Sequence, residues 1–163
     1  MLAQQAAGQL RLPLPTPAHS PDLRLGDGRA ATLVGEHTWF WTPRADWHPY
    51  TARVQAGPVW AEATATPIRL VMQPGNGTPP SSCPGPGTVY DRRYGLHAAS
   101  PDCDVVYTHS SAGETTAGWA ITWQVTWRGG IGPEPTQGGV LPQMTSRSQA
   151  RFAVAEAQSL RTR

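Results

Sequence analysis

The chain contains no lysine. All 13 basic residues are arginine, set against 11 acidic residues, and the net charge with neutral histidine is +2. The missing ammonium removes any P-loop lysine, Schiff-base lysine or kinase-type ATP lysine, so no nucleotide is expected. A charge of +2 over 163 residues is also too small for nucleic-acid binding driven by counterion release. No apolar run approaches the roughly 20 residues needed to span a bilayer. The opening MLAQQAAGQLRLPL lacks the basic start and apolar core of a secretory signal. Neither H-E-x-x-H nor G-x-S-x-G occurs. His109 beside Ser110 and Ser111 reads as a polar turn, because triad members normally come from separate segments. No catalytic residue, cofactor or metal is expected, and the chain reads as non-enzymatic.

Glycine and proline are abundant, at 17 each, and tryptophan is the commonest aromatic at 7. Residues 1–30 stand apart as an extension: a short helix-like stretch runs into Leu12-Pro13-Leu14-Pro15-Thr16-Pro17, whose prolines favour polyproline II. Residues 31–163 read as one β domain with a long loop at 74–104. Thr38 to Thr42 has high β propensity. Tyr50 to Gln55 and Val59 to Thr66 flank Ala56-Gly57-Pro58 as a hairpin, and Pro67 marks a bulge or an edge position. Val105 to Thr108 resumes a strand. Trp119, Ile121, Trp123, Val125 and Trp127 recur at period two, which puts them on one apolar face of a half-buried strand. Gly129 to Gly139 reads as a loop, and Phe152 to Leu160 as a closing strand. Short strands between Gly/Pro turns predict an all-β, antiparallel sandwich behind an N-terminal extended or helical segment.

Cys83 and Cys103 have no neighbouring zinc ligands. They read as a disulfide that closes the long loop, worth about 3 kcal/mol; the alternative is two reduced, buried thiols. A disulfide implies export from the cytosol; because the given start carries no signal, an upstream signal or membrane anchor is the favoured reading, over a misplaced gene start or a chain that is not exported. Asp91, Asp102 and Asp104 are weak calcium candidates, against a solvated acidic turn. Trp119, Trp123 and Trp127 are assigned to core. That leaves Trp39, Trp41, Trp47 and Trp60 as candidate contacts, either for a protein partner or, by stacking, for a glycan.

Two stretches resemble the PKD-type immunoglobulin-like domain: Ile68 to Thr78, ending in Gly75-Asn76-Gly77, and Val105 to Gly113 followed by Trp119 to Trp127. Asn76 stands where that family usually has Asp, and Val105 where it often has His. The whole chain is also similar to a family of secreted or membrane-anchored actinobacterial proteins through Trp39-Phe40-Trp41, Val59 to Pro67, Cys83 to Thr88 and the segment Tyr107 to Trp127. The resemblance implies an immunoglobulin-like sandwich in the bacterial cell envelope. The leading expectation is a structural or protein-interaction module docking another envelope protein, and the alternative is a carbohydrate-binding module.

Overall fold

The computed structural model describes residues 1–157. In chain order its elements are helix α1 (Leu2–Gly8) and strands β1 (Ala18–Ser20), β2 (Leu23–Arg24), β3 (Ala30–Leu33), β4 (His37–Trp41), β5 (Tyr50–Ala56), β6 (Val59–Gln73), β7 (Ser81–Cys83), β8 (Asp104–Val106), β9 (Glu114–Ile131) and β10 (Gln137–Ala155). Strand dominates, and two sheets pack in sandwich-like fashion. The long sheet runs β2-β3-β10-β9-β6-β5, with β7 beside β5 along the far side of β6; the small sheet is β1-β4-β8.

The period-two reading of β9 holds: Trp119, Ile121, Trp123 and Val125 are all fully buried, while Trp127 is half-buried. The hairpin at 50–66 forms as β5 and β6 in register Tyr50↔Ala65 to Ala56↔Val59. Pro67 lies at a bulge, where the register steps from Pro67↔Trp123 to Arg69↔Thr122. One extra residue there lets Ala61, Ala63 and Ala65 before the bulge and Leu70 and Met72 after it all face inward.

Two expectations change. The sheet is mixed rather than wholly antiparallel, because β3 runs parallel to β10. Most of the domain separates those strands in sequence, so no tight hairpin dictates their direction. Gly129 to Gly139 is not one loop: β9 continues to Ile131 and β10 starts at Gln137. The glycines are in strand because little else fits there. A Cβ on Gly129 would lie 2.5 Å from the Trp60 carbonyl oxygen, and one on Gly139 would lie 3.0 Å from Trp127 Nε1. The closing strand is present to Ala155; residues 158–160 of that expected strand lie outside the described residues.

The inner face of the long sheet carries the core. At the β4 end, Phe40 meets Trp119 edge to face at 5.4 Å, and Trp119 Nε1 donates to the Trp41 carbonyl at 3.2 Å. Tyr107 packs on Phe152 and donates its hydroxyl to the Pro74 carbonyl at 2.8 Å; burial raises its pKa. Residues 1–30 take part in this body. Ala3, Ala6 and Ala7 of α1 are buried, and the helix lies over β5, β6 and β9. Its fully buried side chains are alanines, with Leu2 half-buried at its start, so the helix sits close to the small residues Ala61, Ala63 and Ala65.

Candidate functional site

The Cys83–Cys103 disulfide forms, and both cysteines are buried. Cys83 ends β7 of the long sheet, while the Cys103 carbonyl accepts from the Phe40 amide of the small sheet at 3.0 Å. The bridge therefore joins the two layers as well as closing the loop. Such a bond indicates an oxidising, extracytoplasmic setting. No helix among the described residues is long and apolar enough to cross a membrane.

The loop between the cysteines is organised by its aspartates. Asp102 Oδ1 accepts from the Thr88 amide at 3.1 Å and the Ser100 hydroxyl at 3.0 Å. Asp104 Oδ2 accepts from the Ser100 amide and from His37 Nδ1, each at 2.9 Å. Asp91 caps a turn by accepting from the Arg93 amide at 2.9 Å, a bond that lowers its pKa. The weak calcium candidates thus spend oxygens on N–H and O–H donors. Among the described residues no three His, Cys, Asp or Glu side chains gather around a cation-sized space.

The four candidate tryptophans do not form one surface. Trp39 is buried between Tyr90 and Tyr94, with ring centroids at 5.1 and 4.9 Å, and its Nε1 donates to the Ala98 carbonyl. Trp41, half-buried, supplies the carbonyl that Trp119 uses. Trp47 is half-buried against the main core. Trp60 lies on the other face of the long sheet, 3% exposed, with Arg53 4.1 Å over its ring and its Nε1 bonded to the Gly132 carbonyl at 2.7 Å. Trp60 pairs with Gly130 of β9, eleven residues from Trp119, or roughly 35 Å along the strand. A flat row of exposed indoles, as sugar stacking needs, is not built from these four.

Sequence reasoning missed the free edge of β10. One side of β10 pairs with β9 from Gln137 to Ala153, yet its other side meets β3 only at Ala153–Ala155. Among the described residues no backbone hydrogen bond reaches the outward side of 137–150. Pro142 and the register shift between Leu141 and Met144 interrupt this edge, as natural edges often are. A window of five residues, Gln137-Gly138-Gly139-Val140-Leu141, remains regular, with Val140 71% exposed. Beside it, Ala7, Gly8, Leu141 and Met144 line an apolar trough of about 360 Å³ under α1. The opposite edge, β5, is shorter and displays Thr51, Arg53 and Gln55. The only sequence signal for the open edge was the Gly-Gly-Val-Leu run, which reads equally as loop. Comparison with protein-family models, curated proteins and solved structures finds no match to this chain.

Proposed function

We propose that this chain is a non-enzymatic, extracytoplasmic interaction module of a bacterial envelope protein, and that it docks a protein partner by accepting a strand at the β10 edge. The observation that carries the reading is the unpaired 137–141 window beside the apolar trough. An added strand gains main-chain hydrogen bonds, while alternate side chains supply specificity. Here one such side chain would enter the trough between Ala7 and Met144. The disulfide favours the oxidising setting that an envelope protein occupies. The long strands and paired layers are compatible with an immunoglobulin-like or PKD-like sandwich, and the envelope assignment rests on the resemblance of the Trp39–Trp41, Val59–Pro67 and Tyr107–Trp127 stretches.

The test is site-specific photo-crosslinking on intact cells. A photo-reactive residue at 140 should trap one defined protein, and the same residue at Gln55 on the β5 edge should not. Val140→Lys should abolish capture by a crosslinker placed at 138. Equal trapping from both edges would overturn the reading.

A further inference from the structure

The outer face of the long sheet, which the proposed strand addition leaves uncovered, has a chemistry of its own. Cross-strand register assigns its members, because directly paired residues share a face. The rows are Arg53–Glu62–Arg128, Thr51–Thr64–Thr126, Arg69–Thr122–Thr145 and Val71–Ala120–Arg147. Arg151 and Glu114 lie at the far end. Five arginines and two glutamates give this face +3, which exceeds the +2 of the whole chain, so the remainder is net acidic. The positive charge of the protein is therefore a property of this face.

The glutamates are already engaged. Glu62 holds Arg128 at 3.0 Å, and Glu114 lies 4.0 Å from Arg151. Arg53 covers Trp60. Among the described residues Arg69 and Arg147 have no carboxylate partner. Two strand spacings and one two-residue step separate their Cα atoms, which is about 12 Å. Between them lie Ala120 and the buried Thr122, and around them the surface offers the exposed Thr145 hydroxyl and the Gln73, Gln124 and Gln149 amides, with no exposed aromatic ring and no free carboxylate. Its backbone groups are consumed by the sheet, so a peptide cannot add to it as a strand, and its one hollow here, about 50 Å³ at Val71, Gly118, Ala120 and Gln149, is too small to seat a large apolar side chain.

We infer that this face binds a linear, carboxylated polysaccharide, whose acid groups pair with Arg69 and Arg147 and whose hydroxyls meet Thr145 and the glutamines around them. Arginine matches a carboxylate with two parallel N–H···O bonds, and a flat array of short polar groups suits an extended, hydroxyl-rich chain. This differs in kind from sugar stacking on indole, and it does not depend on the β10 edge.

The experiment measures binding of the full chain to polygalacturonate, to poly-L-glutamate and to neutral dextran at low ionic strength, where charge contacts are least screened. Polygalacturonate should bind and dextran should not. Arg69→Gln/Arg147→Gln should weaken polygalacturonate about tenfold or more with an unchanged melting temperature, and the exposed Arg147→Gln alone should give part of that loss. Arg11→Gln/Arg92→Gln, which removes the same charge elsewhere, should keep the affinity. Equal loss in that control would mean nonspecific charge and overturn the site. Poly-L-glutamate binding as tightly, with the same arginine dependence, would overturn the polysaccharide assignment, as would absence of polygalacturonate binding.

Discussion

The two ends of the long sheet are packed by different means. At the β4 end, large rings interlock: Phe40 on Trp119, Tyr107 on Phe152, with the disulfide tying the layers together. At the other end one seven-residue helix, buried mainly through alanines, covers Ala61, Ala63 and Ala65. The first end buries large apolar areas and is cross-linked. The second packs small side chains under the helix, keeps Trp60 on its outer face, and leaves a strand edge open. Stability is thus concentrated away from the surface available for binding, an arrangement that lets the binding end change without unfolding the body.

Substitutions at the two ends should separate accordingly. The largest effect is expected from Trp119→Ala, which empties the ring-packed end and orphans the Trp41 carbonyl bond. It should cost about 3–5 kcal/mol in denaturant unfolding. Replacing Cys83 and Cys103 together by alanine should cost about 3 kcal/mol, and reductant should lower the melting temperature of the native chain but not of that variant. Ala6→Asp, at the helix-covered end, buries a charge without a partner and should cost about 2 kcal/mol. Its mark in hydrogen exchange should fall on Ala61–Ala65 and spare Trp119. Equal loosening at both ends would break the comparison. Val140→Lys should leave stability within about 0.5 kcal/mol while removing partner capture.

A smaller effect is expected with pH. Burial against Phe152 lowers the pKa of His19 from its ordinary 6.5, with Asp22 acting in the opposite direction. The folded chain then binds that proton less readily than the unfolded chain does. Its contribution is fully present above pH 6.5 and is lost as pH falls below that value. Melting temperature measured across this range should decline toward acid, and His19→Gln should flatten the decline.

The elements written in local pattern were legible in sequence. The alternation from Trp119 to Trp127, the hairpin around Gly57 and the bulge at Pro67 each follow from residue periodicity or a missing N–H. The disulfide was legible because no zinc ligands compete for its cysteines. Features set by distant partners were not. Gly129 and Gly139 look like loop residues until Trp60 and Trp127 are placed against them. Ala3, Ala6 and Ala7 are too small to announce a buried helix face. Trp39 and Trp60 were open candidates for contact because sequence does not show which carbonyls, those of Ala98 and Gly132, take up their indole N–H groups. The free edge of β10 depends on how little β3 covers, a property of topology and not of local sequence.

Residue-resolved amide hydrogen exchange of β10, in the isolated chain and with the crosslinked partner bound, tests the open edge most directly. In the isolated chain, amides along 137–141 should alternate between slow, where they face β9, and fast, where they face outward. Binding should slow the outward set. Uniform protection in the isolated chain, or fast outward amides that the partner leaves unchanged, would contradict strand addition at this edge.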